Sequence, residues 1–188
     1  SQFLIFSEFA FNLRGLTHRL SALLLIGLCA YHAFYVIFTK EGRQYFRDML
    51  PGIKDFTDFF HYIKYSLGFS PERPRFDRFN YIQKFEYGAV MWGSLIMILT
   101  GFILWFENIS LAIFPKWILD VATTVHGFES ILAFLTIIIW HFYNVHLNPD
   151  VFPMSRIWLD GQVSEADLRT KHPMYYERIT KNDETKQA

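Results

Sequence analysis

The 188 residues are 52% hydrophobic and 19% aromatic, with 21 Phe, which is richer in apolar side chains than a soluble domain of this size, so a membrane protein is the leading class. Eighteen basic and 18 acidic residues cancel to zero net charge, which removes the global electrostatic ground for nucleic-acid binding. The one cysteine, Cys29, excludes an internal disulfide and any Cys-based zinc or iron–sulfur site within the chain, and reads as a small buried hydrophobe.

In chain order, the first residues, SQFLIFSEFAFN, have no initiator Met, no basic n-region and no cleavage site. Three charge-poor runs follow, each long enough for a hydrocarbon layer of about 30 Å. Leu20 to Phe38 is nineteen residues without Asp, Glu, Lys or Arg, and Tyr87 to Phe106 is twenty. Val121 to Tyr143 is twenty-three, interrupted by two histidines and Glu129, the one carboxylate in the three runs. They predict membrane helices over about 16–39, 80–106 and 117–147, a loop over 40–79 and a tail over 148–188, all in one integral-membrane domain. Trp92, Trp105, Trp117 and Trp158 lie near segment ends, where amphipathic rings favour the interface.

In the loop, KDFTDFFHYIKYSLGF places Phe56, Phe59, Phe60, Ile63 and Leu67 at helical spacing between prolines. It reads as a short helix lying on the membrane surface. In the tail, Ser164 followed by Asp167 marks a capping box that opens a short helix before Pro173. Lys40, Arg43, Arg47, Lys54, Lys64, Arg73, Arg75, Arg78 and Lys84 fill the first connection, and Arg156, Arg169, Lys171, Arg178, Lys181 and Lys186 the tail. The second connection, ENISLAIFPKWILD, holds only Lys116. The positive-inside rule puts both basic segments in the cytoplasm, so the first and third spans run parallel and the chain starts outside. An earlier transmembrane helix upstream is the simplest expectation for that start.

The spans carry histidines in a matched pattern. His18 and His32 are fourteen residues apart, so they share a helix face about 21 Å apart along the axis. His126 and His141 are fifteen apart and share a broad face at about 22 Å. With those spans parallel, His18 lies level with His126 near the outer surface, and His32 level with His141 near the inner one. An unpaired imidazole in hydrocarbon costs several kcal/mol. Facing imidazoles can close the axial positions of a haem, and two stacked haems make an electron path across the membrane. A carboxylate-poor interior argues against a di-iron or zinc centre.

His146 competes for the inner site but projects to about the opposite face from His126 on an α-helix, which favours His141. His61 and His172 lie in the loop and tail, where solvated histidines are expected. Gly27, Ala30, Gly93, Gly101 and Gly127 leave room for a macrocycle or for close helix packing. Arg14 and Arg19 beside His18, and Lys84 or Arg78 at the inner level, can pair with haem propionates or serve as snorkelling anchors.

FNYIQKFEYGAVMWGSLIMILTGFILWF, then VHGFESILAFLTIIIWHFY and GQVSEADLRTKHPMYYERI, resemble the gamma, cytochrome b subunit of membrane-bound formate dehydrogenases and the cytochrome b of bacterial hydrogenases. Members that occur with multihaem cytochromes c are closest, through FTKEGRQYF, RFDRFNYIQKFEYG and WHFYNVHLNPDVFPM. The resemblance covers nearly the whole chain and implies a four-helix bundle, two b haems and a quinone site beside the cytoplasmic haem, of which this chain is a three-span variant or remnant. It implies that His18 and His126 bind the outer haem and that His141 supplies the last-helix ligand of the inner one. It also implies that Asn80, followed by Gln83 and Lys84, contacts the quinone, where a helix cap is the alternative. The family's fourth ligand sits on a first helix that this chain lacks; spacing nominates His32, with an upstream helix as competitor. Ile82 stands where the family has a glycine near the quinone pocket.

The expectation is a di-haem b subunit of a respiratory oxidoreductase in the bacterial inner membrane. It would pass electrons between a periplasmic iron–sulfur or multihaem cytochrome c subunit and menaquinone or another quinone, in a direction the sequence leaves open. A non-redox membrane scaffold, with a basic loop for anionic lipid or a cytoplasmic partner, is the alternative.

Overall fold

A computed structural model describes residues 2–149, 151–154 and 156–187, with side chains for 10–149, 151–154 and 156–181. Among the described residues there is no strand. The helices are α1 Gln2–Phe38, α2 Lys40–Met49, α3 Ile53–Ser66, α4 Tyr81–Trp105, α5 Glu107–Ile113, α6 Lys116–Leu135, α7 Ile157–Asp160, α8 Glu165–Lys171 and α9 Pro173–Gln187. Past Leu135 the α6 helix continues as two π-helical stretches, Thr136–His141 and Tyr143–Leu147. Three helical spans, Ala10–Phe38, Tyr81–Trp105 and Lys116–Leu147, are long and apolar enough to cross a membrane. The protein is therefore a helical, multi-pass membrane protein, and its many exposed Phe, Leu and Ile side chains suit lipid.

The elements stop and start for local reasons. Thr39 breaks the chain between α1 and α2: its Oγ1 donates to the Tyr35 carbonyl at 2.8 Å and accepts the Gly42 N–H at 2.9 Å. It thus ends one helix and caps the next. Arg43 closes the same junction by donating to the Ile37 carbonyl at 2.6 Å, a cation on the orphan acceptors of a helix C-terminus. Only glycine fits at position 42, because a Cβ there would overlap the Tyr35 carbonyl.

The surface helix read from the loop is α3. It ends at Ser66 in a Schellman motif, with Gly68 at φ +79°, Phe69 N–H bonding to Lys64 O at 2.8 Å and Gly68 N–H to Tyr65 O at 3.0 Å. Ile53 is 89% exposed and Phe56 68%, an uncovered apolar face suited to a membrane surface. The helix expected at Ser164 is α8, where Ser164 Oγ accepts the Asp167 N–H at 3.1 Å. Helices α2, α5, α7 and α9 are additional to those the sequence predicts. Pro173 does not stop the tail, because at a first helical position its missing N–H costs nothing. Trp92 falls in the middle of α4, away from either end.

The chain divides into two compact units, Ser1–Tyr45 with Trp92–Ser130, and Phe46–Met91 with Ile131–Ala188. In the first, α4 and α6 pack antiparallel, since Thr100 meets His126 while Gly93 meets Glu129. In the second, the tail is tied to the loop. Arg75 pairs with Glu177, and Arg178 with Asp77 at 3.2 Å and with Asp48 at 3.8 Å, where Asp48 also holds Arg78 of the loop at 3.1 Å. Met174 N–H bonds to Phe76 O at 3.2 Å. His172 Nδ1 lies 2.7 Å from Asp77 O and His61 Nε2 lies 3.2 Å from Ser70 Oγ, so neither histidine is merely solvated as expected.

Candidate functional site

In the first unit the rings of His18, on α1, and His126, on α6, face each other with centroids 6.1 Å apart at an interplanar angle of 82°. They line a cavity of about 420 Å³ together with Arg19, Gly101, Phe102 and Trp105. The local sequence explains how the two rings reach one place. Gly101 gives His126 a smooth stretch of α4 to lie against, since a Cβ there would come within 3.4 Å of its Cε1. Thr100 Oγ1 holds His126 Nδ1 at 2.8 Å. Arg19 sits with its guanidinium carbon 5.7 Å from the Trp105 ring centre, which keeps a cation at the cavity without burying it unpaired. Arg14 lies 5.1 Å over Phe11.

The separation of the two imidazoles has a chemical meaning. Imidazoles whose centres are 6.1 Å apart are close enough that both would reach one metal ion between them. Among the described residues no group of three or more His, Cys, Asp or Glu forms a protein-only metal site. Two imidazoles alone leave a transition metal short of ligands, whereas a porphyrin fills the four in-plane positions and needs only the axial two. The cavity is lined by an apolar majority with one cation, a donor set that fits a macrocycle carrying carboxylates.

His32 is on α1, half-buried, and belongs to the first unit. His141 and His146 belong to the second, where the π-helical stretches change their relation. An i→i+5 run advances only about 80° per residue against 100° in an α-helix, so five residues of it bring two side chains to roughly 40° apart instead of about 140°. The α-helical count that favoured His141 over His146 therefore loses its premise beyond Leu135. His146 stacks on Phe142 at 4.7 Å. His141 is within electrostatic reach of Glu86, and the buried Glu86 Oε1 has no hydrogen-bond partner among the described residues. Glu86 was missed because the charge-free run was counted from Tyr87. It lies inside α4, so Glu129 is not the one carboxylate in the spans. A Cβ at Gly93 would overlap the Glu129 carboxylate, so this glycine seats an acid. Gly27 and Gly127 face open space.

The residues expected at a quinone are engaged with one another or with the loop. Asn80 Oδ1 accepts the Gln83 N–H at 2.9 Å and Gln83 Oε1 accepts the Asn80 N–H at 2.9 Å, a reciprocal capping box that starts α4. Lys84 Nζ pairs with Asp55 at 2.8 Å, their side chains 15% and 14% exposed. Thr100 was also missed. Its only signal is a hydroxyl beside a glycine in an otherwise apolar stretch, and such threonines usually do no more than bond their own helix.

No family model matches this chain, and no curated protein matches it.

Proposed function

We propose that this chain is a haem-b membrane subunit that carries electrons between a redox partner outside the membrane and a quinone near the inner face. The observation that carries the reading is the opposed pair His18 and His126, 6.1 Å apart between apolar spans. Haem bound there would supply one-electron chemistry at iron. His18 and His126 would hold the haem, the apolar cavity lining would enclose it, and Arg19 would pair with a propionate. A second haem, on His32 with His141 or His146, rests on sequence spacing and on the cytochrome b resemblance. The same grounds assign the electron partner to an iron–sulfur or multihaem cytochrome c subunit, menaquinone or a related quinone to the start of α4 near Asn80, Gln83 and Lys84, and the protein to the bacterial inner membrane.

A reduced-minus-oxidised optical spectrum of the purified chain tests this reading. Two b-type haems per chain are expected, and His18→Ala or His126→Ala should each remove one of them. A colourless, iron-free preparation from haem-replete cells would leave only a membrane scaffold.

A further inference from the structure

The Thr100 hydroxyl has one proton and two neighbours that want it. Its Oγ1 lies 2.7 Å from the Ile96 carbonyl, one turn back on α4, and 2.8 Å from His126 Nδ1 on α6. A threonine in an apolar helix donates to the i−4 carbonyl, and its lone pairs are then left to accept. If the hydroxyl accepts at His126, the proton on that ring sits at Nδ1, and Nε2 keeps its lone pair for the opposite side. The same ring lines the cavity that His126 shares with His18.

We propose that Thr100 is a positioning residue that locks His126 in its ligating tautomer and orientation. The inference rests on the haem reading above for its consequence, although the hydrogen bond itself does not. An imidazole whose second nitrogen donates a hydrogen bond is a more basic ligand, which favours the oxidised metal and lowers the potential. The ring lies against α4 beside Gly101, where a Cβ would stand 3.4 Å from its Cε1. The arrangement joins two spans by one bond and sets ligand chemistry without touching the metal position.

The experiment compares the full-length protein in detergent with Thr100→Val, which keeps the shape and loses the hydroxyl, and Thr100→Ser, which restores it. The first readout is the nitrogen NMR shifts of labelled His126, assigned against His126→Gln, in haem-free protein. A single Nδ1–H tautomer is expected in the parent and in Thr100→Ser, and a mixture in Thr100→Val. The second readout is the midpoint potential and haem release of the loaded protein. Thr100→Val should shift the potential of one haem to more positive values and release it about tenfold faster, and Thr100→Ser should restore both. Unchanged tautomer and potential in Thr100→Val would overturn the proposal, as would an Nε2–H tautomer in the parent chain if the valine variant does not fold. A parent chain that never takes up haem would sink the functional reading instead, while the tautomer measurement still decides the role of Thr100.

Discussion

Asn80 shows how one side chain can be claimed by two explanations, and how a substitution separates them. Its Oδ1 caps α4 and is matched by Gln83 in return. Aspartate caps as well as asparagine, whereas alanine loses about 1 kcal/mol of helix stability. Asn80→Asp should therefore leave thermal unfolding unchanged, and Asn80→Ala should lower it. Quinol oxidation or quinone reduction that falls in Asn80→Asp, measured with a soluble quinone analogue, would mark a direct contact. Unchanged turnover in that variant would leave Asn80 as a cap alone. At this scale the sequence was legible where spacing mattered and opaque where contacts did. His18 and His126 were read from the depth of their helices, and their rings lie 6.1 Å apart. Thr100 and Glu86 could not be read, because their importance comes from what lies across from them, His126 and His141.

The elements divide by whether their signals were local. The three spans, α3 and α8 were legible because each carries its own pattern of apolar run, amphipathic face or capping serine. The π-helical end of α6 was not, since TIIIWHFYNVHL has no Pro or Gly to announce it. The junction at Thr39 was also silent, although it is sterically demanding. Gly42→Ala would drive a methyl into the Tyr35 carbonyl, part of the backbone that cannot swing aside. A loss of about 1–3 kcal/mol is expected, readable as earlier unfolding in a thermal scan in detergent. The tail helix α8 offers a pH test. Ser164 and Lys171 hold the Asp167 carboxyl below its usual range, and Tyr176 with Arg169 does the same for Glu165. The stability these contacts give is present above the ordinary carboxyl titration and is lost as pH falls through the lowered values. Amide protection over residues 165–171, taken relative to the intrinsic exchange rate at each pH, should fall in that acid window and stay constant between neutral pH and pH 8, and a flat profile throughout would contradict the assignment.

Taken whole, the molecule is a set of apolar spans in whose connections many of the charges are paired with one another. Lys54, Arg75, Arg78, Lys84, Arg169, Lys171 and Arg178 all pair with carboxylates, and Asp48 serves both Arg78 and Arg178. These are among the residues from which the sequence predicts orientation, and the two roles belong to different moments. While the nascent chain threads the insertion machinery, the cations are unpartnered and can retain their segments on one side. Once folding is complete, those same groups are neutralised in place. Those seven cations therefore lend the folded loop and tail less positive field than they would unpaired, and what α3 offers a bilayer is apolar, its exposed Ile53 and Phe56.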